Sequence, residues 1–279
     1  MARIDWPRRA ARALALAALA LPLAATSPAR AFDRGADGRF EKRESSHFVL
    51  FQDVDIDETS GIRGSRRFED DVLETLESAY RTIDALLGIR LPRRIQVTVY
   101  DARDFDARFA GLFRFPAAGF YGDAIHIRGA TVVDARLVRV LHHELVHAAF
   151  HYEAPSLVLP AWMNEGVAEW VEARAAGYAT LTGPEQAFLA SRAAAGSLYA
   201  LAQLSAPSFG AFGPQQAALA YLESRAFVDF LATTYGDRKL REWVEGALRT
   251  GDLDRAARRS FRADLARLEE RFRERYARR

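Results

Sequence analysis

Hydrophobic positions along the chain follow two rhythms, and the change between them divides the sequence. In the first part, apolar residues come in short runs. Residues 47–51 (HFVLF) are apolar enough to be buried on both faces, and residues 95–100 (IQVTVY) alternate and carry β-branched side chains. Both patterns predict strands. Residues 121–128 (YGDAIHIR) put Ile125 and Ile127 on one face and His126 on the other. Short, glycine-flanked and charged at its ends, this stretch predicts an edge strand, a place where an extended peptide could add as a further strand. Elsewhere the spacing is three and four. Phe68, Val72, Leu76, Ala79, Ile83 and Leu86 predict a helix over residues 65–87, ended by Gly88. Further helices are predicted over 105–115, 131–150, 161–176, 183–195, 215–235 and 238–248. A last one over 253–279 carries Phe261, Leu265, Leu268, Phe272 and Tyr276 on one side. Residues 53–64 read as loop, and residues 196–213 show no period. Strands first and helices afterwards predict an α+β domain, with an α/β half over 32–150 and a helical half over 151–279.

Composition and charge narrow the picture. With 279 residues, 49% of them hydrophobic and 27% charged, the chain can bury a substantial core. The pI near 9.0 owes much to the N-terminus. Residues 1–31 hold five arginines and one acid; without them the 39 basic and 37 acidic residues become 34 and 36, a balance of about −2. Nothing in that balance asks for a nucleic acid or an anionic membrane as partner. Arg8, Arg9 and Arg12, an apolar run over 13–21 and the Ala29-Arg30-Ala31 triplet form a signal-peptide pattern with cleavage after Ala31. The expectation is an exported protein, periplasmic or extracellular, with no stable membrane insertion after cleavage; the competing reading is an uncleaved N-terminal anchor. No cysteine occurs, so disulfides and thiolate ligands are excluded, and a bound metal must use histidine and carboxylate.

The chemistry concentrates in the helix over 131–150. His143, Glu144 and His147 form the pattern H-E-x-x-H. Four residues apart on a helix, the two histidines share a face and can grip one zinc ion, leaving Glu144 to reach an activated water. His151 continues the same ladder, but the helix should be fraying there ahead of Pro155. His142 lies about 100° round the axis, where packing or capping is expected. His47 and His126 read as ordinary strand residues. After a loop bounded by Pro155 and Pro160, the next helix should return antiparallel and opens with WMNEG. It offers Glu165 and, one turn later, Glu169.

HELVH followed by WMNEGVAEW resembles the gluzincin metallopeptidases, the group of thermolysin and the aminopeptidase-N-type enzymes, and most of all small bacterial peptidases with only the core domain. The resemblance implies a zincin-like sheet with the H-E-x-x-H helix and one zinc per chain. It makes Glu165, separated from His147 by seventeen residues, the third ligand. It implies that Glu169, where aspartate is usual, holds His143 in its metal-binding tautomer. It also implies a downstream tyrosine that stabilises the oxyanion, for which Tyr221 is the best match and Tyr235 the next. A metzincin would need glycine and histidine at the positions of Phe150 and Glu153, so that class is excluded. The implied function is hydrolysis of peptide bonds in a peptide or protein substrate, with zinc-activated water and Glu144 as general base. The alternative is an inactive zincin-fold protein that binds peptide or cell-envelope partners. A purely structural zinc site is disfavoured, because such sites usually close the fourth position with a further Cys or His.

Overall fold

The computed structural model describes residues 41–52, 64–112 and 117–278. The signal-peptide pattern and most of the predicted loop after residue 52 lie outside them. Five strands form one sheet in the order β1-β2-β3-β5-β4: β1 (Glu41–Glu44), β2 (Phe48–Gln52), β3 (Ile95–Tyr100), β4 (Gly119–Tyr121) and β5 (Ile125–Arg128). β2, β3 and β5 run parallel, and β1 and β4 flank them antiparallel. A parallel β2–β3 pair needs a long crossover, and helix α1 (Gly64–Leu87) supplies it. α2 (Ala102–Arg108) starts earlier than expected because Asp101 caps it, its side chain accepting from the Arg103 N–H.

The single edge strand expected over 121–128 is instead a hairpin. The backbone turns at Gly122, whose N–H donates to the carbonyl of Ala124. β5 is therefore an interior strand between β3 and β4, and β4 forms the edge. The opposite edge, β1, was not expected. Its sequence EKRE carries no apolar signal, and pairing with β2 together with an Arg43–Glu69 ion pair holds it.

α3 (Ala135–Glu153) carries the H-E-x-x-H motif. It begins at Asp134, whose side chain accepts from the Leu137 N–H, four residues later than the apolar pattern suggests. Every residue from Val140 to Phe150 is buried, His143 and Glu144 included. α4 (Ala161–Ala175) returns alongside it. α5 (Gly183–Ala194), a 3₁₀ turn (Leu201–Leu204), α6 (Pro214–Tyr235), α7 (Asp237–Thr250), α8 (Leu253–Phe261) and α9 (Leu265–Ala277) complete the helical part. The single closing helix expected over 253–279 is broken at Arg262, which adopts a left-handed φ of 58°. Asp264 then caps a new helix by accepting from the Arg267 N–H.

The protein is thus α+β. One face of the sheet (Phe48, Leu50, Val97, Ile125) joins a core that continues through α1, α3 and α4 to Phe272 in α9. Within it Trp162 stacks on Trp243 at 5.8 Å and meets Phe227 edge-on. The other face carries a smaller cluster of Tyr100, Phe105 and Phe120. Two glycines permit close approaches that position the motif helix. A Cβ on Gly119 would stand 2.9 Å from Val140 of α3, and one on Gly166 of α4 would stand 2.7 Å from the Ser224 carbonyl oxygen of α6. Among the described residues no helix is long and apolar enough to cross a membrane.

Candidate metal centre

α3 and α4 run antiparallel, so the middle of one faces the start of the other. His143 and His147 project one turn apart with ring centroids 4.8 Å apart, and Glu165 reaches them from the first turn of α4. The Nε2 atoms of the two histidines lie 3.3 and 3.5 Å from the same oxygen, Oε2 of Glu165. Nitrogen and oxygen ligands about 2.0–2.1 Å from a tetrahedral zinc are spaced roughly 3.3–3.4 Å from one another. The three donor atoms therefore fit one ion.

The far side of the His147 ring is held by a hydrogen bond, whereas Nδ1 of His143 is buried without one. His147 Nδ1 donates to Asn164 Oδ1 at 3.0 Å, which fixes the proton on that nitrogen and leaves the Nε2 lone pair turned toward Glu165. Around His143 the geometry departs from the expectation. The oxygen 3.5 Å from its Nδ1 belongs to Glu172, whose other oxygen lies 3.5 Å from Arg139 Nε. Glu169 stands in the same group, where the donor atoms of His143, Glu169 and Glu172 all lie within 4.8 Å of one another. The helix crossing thus brings the residue two turns after Glu165 closer to His143 than the residue one turn after it.

Among the buried polar atoms of the site without a hydrogen-bond partner are both carboxylate oxygens of Glu144, Oε1 of Glu165 and Nε2 of His147, and, on the far side of His143, its Nδ1, Glu172 Oε2 and Arg139 Nε. Leaving such atoms unpaired is costly. A cation with its water would satisfy those that face Glu165, and the donor set is that of a divalent metal. Burial pushes the carboxyl of Glu144 up, against the pull of His143 and His147. Burial acts on Glu165 in the same direction, but the nearby imidazoles outweigh it and hold that carboxylate down. Burial would push His143 down; hydrogen bonding to Glu165 and Glu172 reverses this and holds its pKa well above the usual imidazole value. Burial and the charge of Glu172 push Glu169 up to about 8.

Tyr221, on α6, lies where these carboxylates are felt. Burial, then the charges of Glu165, Glu169 and Glu144, hold its phenol well above the ordinary tyrosine value. Tyr235 is engaged elsewhere, accepting from Arg271 and packing on Phe261. His151 is exposed, beside Tyr121, and outside both metal-competent groups found among the described residues. His142 is tied to the Val138 carbonyl. His47 stacks on Tyr80 and pairs with Glu77. Sequence reasoning missed Asn164, Arg139 and Glu172. The signal for Asn164 was its place immediately before Glu165 in the first turn of the returning helix.

An α+β fold that sets two histidines and a glutamate on facing helices, with a second glutamate buried beside them, defines a gluzincin-like metallopeptidase core. The family model of the Peptidase MA superfamily matches residues 80–277, and the chain belongs to that superfamily. A search of curated proteins finds no match. Membership makes the protein a hydrolase of metallopeptidase type whose substrates are peptides or proteins.

Proposed function

We propose that the chain is a zinc-dependent peptidase holding one zinc through His143, His147 and Glu165. One observation carries the reading: two imidazole Nε2 atoms converge on one oxygen of Glu165, while both oxygens of the neighbouring Glu144 are buried without a protein partner. Zinc in that position would supply Lewis acidity, polarising the scissile carbonyl and lowering the pKa of water toward about 7. Glu144 takes a proton from the attacking water and passes it to the leaving amine, so the water's oxygen ends on the carbonyl carbon and its hydrogen on the nitrogen. Tyr221 stays protonated at any ordinary pH and can donate its O–H to the carbonyl oxygen as charge develops there. Asn164 keeps the His147 imidazole turned with Nε2 toward Glu165, and Glu172 sets its carboxylate beside Nδ1 of His143. Glu169 stands in the same group as His143 and Glu172 without the closest approach.

Export, with cleavage after Ala31, belongs to the same proposal and rests on the pattern of residues 1–31 alone. N-terminal sequencing of the mature protein tests it.

The mechanism is tested by Glu144→Gln. This variant should keep about one zinc per chain and lose roughly 10²–10⁴-fold in peptide hydrolysis. A variant that keeps both zinc and full turnover removes Glu144 as the base. Wild type that binds zinc and cleaves no member of a peptide library supports the inactive binding protein instead.

A further inference from the structure

Tyr221 and Tyr235 both lie on α6, and their hydroxyls are held differently. That of Tyr235 accepts from Arg271, whereas among the described residues that of Tyr221 meets no hydrogen-bond partner. No polar contact therefore fixes the direction of the Tyr221 O–H, and its aim depends on how packing holds the ring. That aim matters, because a donor stabilising an oxyanion must sit about 2.7–3.1 Å from it.

Among the described residues the aromatic ring against Tyr221 is that of Phe209, edge-on, with centroids 5.3 Å apart and planes at 82°. Edge-to-face contact at that distance is a favoured geometry for an aromatic pair. Phe209 is itself immobilised. It is 2% exposed, stacks on Phe212 at 5.6 Å, and accepts the Phe212 N–H at its carbonyl. The aperiodic segment that carries it, between α5 and α6, is fastened to three helices. The Tyr199 N–H donates to Glu223 of α6 at 2.7 Å, and Arg273 of α9 donates to the Tyr199 carbonyl at 2.7 Å. The Ala206 carbonyl accepts the Ala161 N–H at 2.8 Å. Ala161 opens α4 one turn before Glu165, Ala206 precedes Phe209 by three residues, and Pro207 restricts the backbone between them. One short stretch of chain thus bonds to the start of the helix bearing Glu165 and packs on the ring bearing the phenol.

Resting on the peptidase reading above, we infer that Phe209 is a positioning residue of the reaction: through it, residues 206–209 hold Tyr221 in register with Glu165, so that the O–H points at the carbonyl oxygen. An aliphatic side chain at this position lacks the flat edge and leaves the ring of Tyr221 more ways to turn, while the three converging donors keep their places.

Rate constants for one peptide substrate, measured on zinc-loaded wild type, Phe209→Leu, Tyr221→Phe and the double variant, test this. Tyr221→Phe should lower kcat about 100-fold, the loss expected for an oxyanion donor. Phe209→Leu should keep its zinc, lower kcat about tenfold and leave KM within about twofold, as befits an interaction made only in the transition state. In the double variant Phe209→Leu should add less than about twofold to the loss from Tyr221→Phe, because no hydroxyl is left to aim. Should Phe209→Leu fail to fold, Phe212→Leu, at the partly buried ring on which Phe209 stacks, takes its place. It should lower kcat about threefold when Tyr221 is present and not in Tyr221→Phe. Unchanged kcat in the variant that folds, or a fall that persists in full beside Tyr221→Phe, refutes the positioning role while the peptidase reading stands. So does a Tyr221→Phe protein with full turnover. Absence of all cleavage by wild type overturns both.

Discussion

Two buried histidine clusters lie in this molecule, and they differ in what is left over. On the far face of the sheet His126 sits between Tyr100, Phe109 and Phe120. Its Nδ1 is 2.8 Å from the Tyr100 hydroxyl and its Nε2 is 3.0 Å from Asp123. Both ring nitrogens are engaged by the protein. Between α3 and α4, His143 and His147 are more deeply buried, yet their Nε2 atoms converge on Glu165 while the oxygens of Glu144 find no partner. A polar cluster whose groups satisfy one another is finished as it stands and acts as structure. One whose lone pairs point at a common place is built for an ion.

Substitutions that remove one group from each cluster should separate the two kinds. The largest effect is expected for Glu165→Ala, which removes one of three converging donors. Zinc content measured after dialysis should fall from about one per chain to nearly none, and unchanged occupancy would misassign the ligand. Glu172→Gln should weaken zinc binding about 10–100-fold, because His143 loses the carboxylate beside its Nδ1. Glu169→Gln should weaken it less, and competition titration with a chelator reverses the assignment if the order is opposite. His126→Phe should leave zinc affinity untouched and cost on the order of 1 kcal/mol of unfolding free energy, since the buried hydrogen bond to the Tyr100 hydroxyl is lost. Lost zinc in that variant would erase the distinction.

A last effect is one of pH. Buried Glu223, which accepts from the Tyr199 N–H, has its carboxyl pushed up to about 7 by burial. The folded protein therefore holds a proton that the unfolded chain releases near the ordinary carboxyl value of 4.5. The stability this group contributes is full below that value and is lost as pH rises toward 7. Glu223→Gln keeps an acceptor without the charge. Relative to wild type it should gain on the order of 1–3 kcal/mol between pH 5 and pH 8, read from denaturant unfolding at both.

How much of this was legible in the chain depended on whether a residue's role was local. The strand over 95–100 and the helix over 65–87 announce themselves because period and burial agree along one segment. His143, Glu144 and His147 are equally local, since helix geometry alone puts the two histidines on one face. Glu165 required the neighbouring helix to return, which the two prolines and the short loop made readable. Which carboxylate would meet His143 was not readable. The residues one and two turns beyond Glu165 share a face, and the choice between them depends on how the helices cross. The hairpin at residues 119–128 and the break at Arg262 were hidden for another reason. Each is a turn of two or three residues inside a continuous apolar pattern, and hydrophobic period is nearly blind to so short an interruption. β1 lacks apolar residues altogether, so pairing alone makes it a strand.

Gly166 follows Glu165 and touches nothing that reacts. A methyl group in its place would stand 2.7 Å from the Ser224 carbonyl oxygen, where ordinary contact begins at 3.4 Å. The helix bearing Glu165 and the helix bearing Tyr221 would then have to part by a good fraction of an ångström. That is the tolerance within which a reacting group must be held, and an error of about 1 Å can cost some 100-fold in rate. The clearance between the helix bearing Glu165 and the helix bearing Tyr221 is therefore gauged by an atom the chain leaves out.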